Sequence, residues 1–370
     1  MKKSVITLAL VLVVALLTGC AGTPVVYYSD CTCPTGAHTE NVPTDPIPVT
    51  TAPVESTPVE STPVAEGAVK TGVAILANAN DSKSAGDADG EAKYDVTIVA
   101  VTVDDNGVIQ SCIIDSIGTS VLFDVNGAIV SDLTAPIATK NELGDAYNMK
   151  LYGGAVAEWY EQAAALASYA VGKTVEELRA GAVDETGHAV DADLATSATI
   201  YLGGYVEAIE NAVFNARHLG AQAGDELKLG ILPSVGSSAS ADAENAGCAQ
   251  LDVDAVALTM KDGVITSAQI DSVQGKVTFD ATGTITGGTD GIFATKNMLG
   301  EQYGMVAWGG AIAEWNQQAA SFAAYITGKT PAEVSGIAID EGTKPTEADL
   351  ATSVTIAIGG FQALIAKACN

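Results

Sequence analysis

The sequence predicts an α+β protein with two tandem copies of one domain, each an antiparallel sheet covered by helices, after a disordered Pro/Thr-rich tether. Three observations support this fold class: an internal repeat at a constant offset, alternating β-branched segments around Asn-Gly and Asp-Gly turns, and Ala-rich segments behind helix-capping patterns. A length of 370 residues accommodates two or three domains of ordinary size.

The N-terminus predicts a lipoprotein signal peptide over residues 1–20. Lys2 and Lys3 precede an apolar run over residues 5–17, which is shorter than the about 20 residues that a membrane-spanning helix needs. The run leads into Leu-Thr-Gly-Cys, with the cysteine at position 20. This ending resembles the lipobox of bacterial lipoproteins, which implies that Cys20 is lipidated and becomes the new N-terminus. The alternatives are an uncleaved signal anchor and cleavage at another position.

Residues 21–66 are predicted to form the tether. They are rich in Pro, Thr, Val and Glu, and residues 53–63 nearly repeat themselves. Such a composition forms no core and favours extended polyproline II structure. A chain of this kind could reach on the order of 100 Å from the membrane. The tether also carries Cys31 and Cys33, which are too few to close a zinc site.

The remaining chain is an internal duplication, with copy 1 at residues 69–222 and copy 2 at residues 227–370. The Gly-Val-Ile of residues 107–109 recurs 156 positions later, at residues 263–265. Upstream of this point the offset is 157, and the one-residue difference falls in a predicted hairpin turn, where a change of length is tolerated. The duplication predicts two separate cores, so that each copy would fold alone.

Each copy begins with predicted strands. In copy 1, residues 94–103 and 108–117 alternate in polarity and are rich in β-branched side chains, with an Asn-Gly turn between them. A second hairpin is predicted around Asn126-Gly127.

Helices are predicted to follow the strands. In copy 1 they are a short helix behind Thr139-x-x-Glu142, a long helix over residues 154–171, a helix behind Thr174-x-x-Glu177, and a last helix from about residues 196–199 to about residue 217. A Thr followed three residues later by Glu is the capping-box pattern. Trp159 and Trp315, on the long helix of each copy, are predicted to be core anchors.

The acidic composition limits the classes of partner. Seventeen Lys and Arg against 45 Asp and Glu give a net charge of −28. Such a surface repels phosphate backbones and anionic membrane faces, so we expect no nucleic-acid partner and a membrane contact only through the lipid anchor. The recurring carboxylates, at Glu158, Glu314, Asp184-Glu185 and Asp340-Glu341, are interpreted as solvated surface, with acid–base chemistry as the alternative. No metal site and no catalytic residue is predicted.

The most informative polar segment is Asp-Leu-Ala-Thr-Ser-Ala-Thr at residues 193–199, whose copy occupies residues 349–355. We expect it to open the last helix, where unpaired N–H groups favour an anion such as phosphate. The alternative is a plain N-cap formed by Ser and Thr side chains. The candidate residues are Asp193, Thr196, Ser197 and Thr199 in copy 1 and Asp349, Thr352, Ser353 and Thr355 in copy 2.

The order of strand, Asn-Gly or Asp-Gly turn, strand and a late D-x-x-[S/T]-G-A-T motif resembles the FMN-binding domain family. That family includes flavin-carrying subunits of sodium-translocating quinone reductases and Rnf-type complexes, and tandem-domain surface lipoproteins. There the last Thr of the motif carries FMN through a phosphodiester that a flavin transferase installs. The resemblance implies FMN, held covalently, at Thr199 and Thr355. Two departures from the motif are the serines at 197 and 353 in place of Gly and Val354 in place of Ala.

The resemblance thus predicts a membrane-anchored, extracytoplasmic FMN-binding lipoprotein, an electron carrier rather than a turnover enzyme. Its expected partners are a flavin transferase and redox proteins. The alternative is a non-catalytic surface lipoprotein that binds a small molecule, a wall polymer or a protein through a degenerate flavin-type fold. The hydroxyl groups of Thr199 and Thr355 separate the two hypotheses, because only covalent flavin attachment requires them.

Overall fold

A computed structural model describes residues 67–370; the predicted signal peptide, Cys20 and the tether lie outside the described residues. Within residues 67–370 the chain forms two antiparallel sheets, of three and four strands, and helices cover them. The predicted α+β class is therefore confirmed. No helix in this part of the chain is both long and apolar enough to cross a membrane.

Each copy contributes one sheet, and the strands follow one another in sequence order. The strands of the first sheet are β1 (Lys70–Asn78), β2 (Gly90–Val103) and β3 (Ile109–Phe123). The strands of the second sheet are β4 (Glu226–Ser234), β5 (Gly247–Lys261), β6 (Val264–Phe279) and β7 (Ile285–Gly287). Strands β1 and β4 are not predicted from the sequence, although each pairs along its whole length with the following strand.

The hairpin turns explain the change of repeat offset. In copy 2, Asp262 and Gly263 alone connect β5 to β6, and both have positive φ, of 51° and 80°. This backbone is typical of a two-residue turn. In copy 1, residues 104–108 connect β2 to β3. The prediction that the length difference lies in this turn is confirmed.

The helices follow the sheet in each copy. In copy 1 they are α1 (Lys140–Leu143), α2 (Met149–Gly153), α3 (Trp159–Ala170), α4 (Val175–Ala182), α5 (Ala192–Ser197) and α6 (Gly203–Asn215). In copy 2 they are α7 (Lys296–Leu299), α8 (Met305–Gly309), α9 (Trp315–Ile326), α10 (Pro331–Ser335), α11 (Ala348–Ala351) and α12 (Gly359–Cys369). The capping boxes at Thr139 and Thr174 are present as predicted.

Two predicted helix bounds are wrong. The long helix begins at Trp159 rather than at residue 154, because Glu158 caps it and Gly154 ends α2 with a φ of 62°. The last helix of copy 1 begins at Gly203 rather than at residues 196–199, because α5 and a short connection precede it.

Three apolar clusters hold these layers together. One lies between the first sheet and the helices of copy 1, and another lies between the second sheet and the helices of copy 2. The third contains buried side chains of both sheets. On β2, Tyr94, Val96 and Ile98 enter this third cluster, whereas Val99 and Val101 face the helices. The expectation of two separate cores is therefore wrong, since the two sheets pack against each other.

The contact between the sheets is close to two-fold symmetric. The rings of Phe123 and its repeat counterpart Phe279 stack with centroids 4.0 Å apart and planes 2° apart. A Cβ atom at Gly90 would lie 2.3 Å from the ring of Phe123, so only glycine fits beside it. Backbone hydrogen bonds also occur in pairs, because Ala85 N donates to Gly283 O and Ala241 N donates to Gly127 O, both at 2.8 Å.

Candidate functional site

The structure places the predicted polar motif on α5 and on the connection that follows it. Asp193, Thr196 and Ser197 lie within α5, which is capped by the side chain of Asp191. The hydroxyls of Thr196 and Ser197 donate to the carbonyl oxygen of Asp193, at 2.8 and 3.3 Å. These groups satisfy the backbone of their own helix, and Thr199 alone lies beyond its end.

Copy 2 repeats this arrangement. Thr352 Oγ1 donates to Asp349 O at 3.2 Å, and Ser353 Oγ donates to Leu350 O at 3.3 Å. Thr355 again lies between two helices, α11 and α12. In both copies the hydroxyls thus bond to the backbone of the short helix and the last threonine lies beyond it, but the shorter α11 leaves Thr352 and Ser353 outside the helix.

A buried glutamine accepts hydrogen bonds from the backbone amides that were expected to bind a phosphate. Gln162 Oε1 accepts from Thr199 N at 2.8 Å and from Ile200 N at 3.2 Å. Its Nε2 donates to Ala157 O at 2.8 Å, and its side chain is fully buried on α3. The expectation of unpaired amides at this motif is wrong, because the glutamine amide group already pairs with them.

Gln318 does the same in copy 2, where it accepts from Thr355 N at 2.8 Å and from Ile356 N at 3.2 Å. The threonine hydroxyls are held less firmly. Thr199 Oγ1 lies 3.4 Å and Thr355 Oγ1 lies 3.2 Å from the oxygen of the corresponding glutamine. Thr199 is exposed and Thr355 is half-buried, so both hydroxyls lie at or near the surface.

A cavity of about 300 Å³ lies next to Thr199 in copy 1. Ile200, which follows Thr199 directly, is part of its wall, together with Thr97, Lys140, Trp159, Tyr201 and Tyr205. The wall therefore combines one ammonium group with three aromatic rings. The cavity lies at the start of α6, whose first residues are glycines without a side-chain cap. A helix start of this kind leaves backbone N–H groups without partners in the helix.

Lys140 is the only cation in the wall of this cavity. Its Nζ lies 5.0 Å from the ring centroid of Trp159 and 5.3 Å from that of Tyr147, which is within range of a cation–π interaction. Among residues 67–370 it makes no ion pair within 4.0 Å. Burial lowers the pKa of Lys140, and the more distant Asp95 and Asp115 oppose that change.

The aromatic side of the cavity is fixed by one hydrogen bond. Trp159 Nε1 donates to the Tyr205 hydroxyl at 3.0 Å, and the two rings meet edge-on with centroids 5.8 Å apart. Burial raises the pKa of Tyr205, so its hydroxyl stays protonated at neutral pH. Trp159 is 1% and Trp315 is 6% exposed, which confirms their prediction as core anchors. Trp159 also forms part of the cavity wall, which the sequence analysis did not anticipate.

The recurring glutamates are structural. Glu158 is 5% exposed, and its carboxylate accepts from Met149 N at 2.8 Å and from Lys150 N at 3.2 Å. Glu314 makes the equivalent bonds to the first amides of α8. The interpretation of these two glutamates as solvated surface is wrong. Asp184 is exposed as expected, and its carboxylate accepts from the backbone amides of its own turn.

Comparison with protein-family models, with curated proteins and with solved structures finds no match for this chain. The arrangement in copy 1 suits a flat aromatic ligand that carries negative charge, because it offers ring surfaces, hydroxyl groups and one ammonium.

The sequence did not single out Lys140, which lines the cavity, or Gln162, which pairs with the amides of Thr199 and Ile200. Both recur in copy 2, as Lys296 and Gln318, at the repeat offset of 156. This identity between the copies was the one signal in the sequence for these two residues, but neither residue belongs to a motif that indicates a particular chemistry. Only the folded chain brings α1, α3 and the connection before α6 together.

Proposed function

We propose that this chain is a membrane-anchored, extracytoplasmic lipoprotein that binds FMN and serves as an electron carrier. The cavity beside Thr199 is the observation that carries the proposal. A flavin nucleotide combines a flat ring system with an anionic phosphate, and the cavity offers aromatic surfaces and the Lys140 ammonium. A volume of about 300 Å³ is at the lower end for small-molecule sites, so FMN would extend beyond it toward the surface.

The residues fit this cofactor in part. When bound, FMN would supply the electron transfer, and the chain would hold and orient it. Lys140 would balance the negative charge, while Trp159 and Tyr205 would contact the ring system. The amides of Thr199 and Ile200 are not available to the phosphate, because Gln162 accepts from both. Covalent retention would therefore depend on a phosphodiester at Thr199: a flavin transferase would move the FMN group from a flavin dinucleotide to the Thr199 oxygen, break the pyrophosphate bond of the donor, and release the nucleoside monophosphate and the hydroxyl proton.

Covalent attachment is tested by coexpression of the full-length chain with a flavin transferase. We expect a fluorescent band on a denaturing gel and a mass increase of up to two FMN adducts. Thr199→Ala and Thr355→Ala should each remove the adduct of their own copy. Thr196→Ala is the matched control, because this nearby exposed hydroxyl bonds only to its own helix.

If no adduct forms at either threonine, attachment is excluded and reversible binding is decided by titration of the purified chain with free FMN. Absence of binding in that titration would overturn the proposal.

The anchor is tested separately. It rests on the Leu-Thr-Gly-Cys sequence that ends at Cys20 behind a short apolar run. Cys20→Ala should leave an unprocessed precursor that no longer incorporates a palmitate analogue. Unchanged processing and labelling would show that the membrane contact has another origin.

A second candidate is a non-catalytic surface protein that binds a wall polymer or another protein. Tyr152 and its repeat counterpart Trp308 favour it, because they are 84% and 88% exposed on α2 and α8. Leu151 and Val306, near these residues in the chain, are also exposed, and exposed apolar patches are typical of interaction surfaces. Cosedimentation of the full-length chain with insoluble cell-wall material tests this function. Binding that is lost in the Tyr152→Ser/Trp308→Ser variant would support it, and binding that this variant retains would count against these two residues.

A further inference from the structure

One difference between the two copies lies beside the cavity lysine. Thr97 on β2 pairs with Ser116 on β3, and Asp254 on β5 pairs with Ser272 on β6. Since Ser116 and Ser272 are repeat counterparts, Thr97 and Asp254 occupy the same place in the two sheets. Thr97 is part of the cavity wall in copy 1. A neutral hydroxyl in copy 1 thus corresponds to a carboxylate in copy 2.

The lysines themselves are placed alike. Lys296 Nζ lies 4.8 Å from the ring centroid of Trp315 and 5.3 Å from that of Tyr303. Lys140 has nearly the same distances to the equivalent rings, Trp159 and Tyr147. The difference between the copies therefore lies in the surrounding charges rather than in the position of the ammonium.

The charges that surround the cavity lysine are less negative in copy 1 than in copy 2. The charged neighbours of Lys140 are Asp95, Asp115 and a second cation, Lys93. Lys93 pairs with Asp81 at 2.8 Å and also lies 3.7 Å from a carboxylate oxygen of Asp95, so it neutralises part of the negative charge of Asp95.

In copy 2 the charged neighbours of the cavity lysine are three carboxylates, those of Asp252, Asp254 and Asp271. Gln250 replaces the second cation, because it aligns with Lys93 at the offset of 157. An anion that approaches Lys296 would therefore meet an excess of negative charge. In a half-buried site such repulsion is only weakly screened by water.

The aromatic residues of the cavity wall also differ between the copies, and copy 1 again offers more groups that a ligand could contact. Tyr201 and Tyr205 of copy 1 correspond to Ala357 and Phe361 of copy 2. Copy 2 consequently lacks one ring and both phenolic hydroxyls. The Trp159 indole has the Tyr205 hydroxyl as its acceptor, whereas Trp315 meets the unsubstituted ring of Phe361 edge-on.

We propose that reversible binding of an anionic aromatic ligand belongs to copy 1 alone, and that the residue at position 97 or 254 determines this selectivity. The inference deepens the proposed function and rests on it. Copy 2 keeps the lysine and its aromatic neighbours as a structural element, with Asp254 as the counter-charge of Lys296.

The test is a calorimetric titration of the full-length chain in detergent with free FMN, without a flavin transferase. We expect one equivalent to bind to the unmodified chain. Thr97→Asp should lower the affinity at least about tenfold, because it places a like charge beside the ligand. Thr97→Asn is the matched control, since asparagine has the shape of aspartate without its charge, and it should keep the affinity within about threefold. Asp254→Asn should add a second, weaker equivalent.

The outcomes separate the two proposals. No binding of free FMN to the unmodified chain overturns this inference, and it overturns the proposed function as well if coexpression with a flavin transferase also gives no adduct. Two equivalents of similar affinity in the unmodified chain would leave the proposed function standing and overturn the selectivity. Equal losses in Thr97→Asp and Thr97→Asn would also overturn it, since shape rather than charge would then be responsible. Circular dichroism of each variant establishes that the fold is retained.

Discussion

Gln162 and Gln318 each fix the polar motif of their own copy through hydrogen bonds to its backbone. Each side chain is fully buried and joins the helix that carries it to the connection before the last helix. Because the glutamine oxygen accepts from two successive amides, it takes the position that an anion would otherwise occupy. Gln162, which the sequence places on an ordinary helix, thus pairs with the two amides that an anion beside Thr199 would need.

Replacement of Gln162 by Leu tests this role. The amides of Thr199 and Ile200 and the carbonyl of Ala157 would lose their partner, so we expect the free energy of unfolding to fall by about 1–3 kcal/mol. Urea denaturation followed by circular dichroism provides the measurement. The exposed Gln110→Leu should change stability by less than about 0.5 kcal/mol. Equal effects of the two variants would contradict the role given to Gln162.

Asp271 is a second residue whose environment has a measurable consequence. It is 2% exposed, and burial raises its pKa to about 6, although Ser272 N and Asn297 N donate to its carboxylate. In the unfolded chain the same group titrates near 3.8. Between these two values the folded state binds more protons than the unfolded state. The contribution of Asp271 to stability is therefore present at low pH and is lost as the pH rises toward 6.

Asp271→Asn should remove this dependence. Between about pH 4 and pH 7 we expect the difference in unfolding free energy between the unmodified chain and the variant to change by roughly 3 kcal/mol, with the unmodified chain losing stability as the pH rises. Urea titrations across that range measure the difference. Asp124→Asn is a control of opposite sign, because hydrogen bonds to its turn lower the pKa of Asp124. A difference that is flat with pH would show that the Asp271 carboxyl is not desolvated.

At the scale of elements, the buried glutamates connect neighbouring helices. Glu158 caps α3, and its carboxylate also accepts from the first two amides of α2. A helix of five residues is too short to be stable by itself. The position of α2, and of the Met149 side chain in the cavity wall, thus depends on a carboxylate that belongs to the next helix.

Glu158→Ala should release α2. We expect amide hydrogen exchange over residues 149–153 to increase at least about tenfold, and the free energy of unfolding to fall by about 1–3 kcal/mol. Hydrogen-exchange mass spectrometry locates the change. Glu207→Ala, at an exposed position on α6, is the matched control and should leave that segment protected. Unchanged exchange in Glu158→Ala would show that other contacts hold α2.

At the scale of the whole molecule, the two copies behave as an internal dimer. Their sheets share a buried cluster, in which Phe123 stacks on Phe279. Additional contacts cross the boundary, such as the bond of the Thr71 and Ser267 hydroxyls at 2.6 Å. Separation of the copies would expose the shared face of each sheet to water. Large exposed apolar surfaces lead to association of protein chains.

This shared cluster predicts how the separate halves behave. Residues 67–222 and 225–370, each expressed alone, should associate rather than remain folded monomers. Coexpression should give a one-to-one complex. Phe123→Ala and Phe279→Ala should each destabilise the full chain by about 3–5 kcal/mol. Size-exclusion chromatography with light scattering and urea denaturation measure these results. Two monomeric halves with cooperative unfolding would instead support the separate cores that the repeat alone predicts.

The sequence by itself determined the α+β class, the duplication, the turn where the copies differ in length and the capping boxes at Thr139 and Thr174. These features are local, because alternation, turn residues and caps act between neighbours in the chain. The same locality explains the errors. The start of the last helix was misplaced because the hydroxyl-rich motif resembles an N-cap, and β1 was missed because its apolar residues face two different clusters.

Only the tertiary structure decided the features that join distant segments. It places Gln162 within hydrogen-bond distance of the Thr199 amide. It brings Lys140, Trp159 and Tyr205 to one cavity, and it buries the two sheets against each other. These contacts depend on which faces of the elements remain to be buried after each copy has formed its sheet. A repeat that encodes one such sheet twice leaves two equivalent apolar faces, and the exclusion of water from both is the physical reason that they pack together.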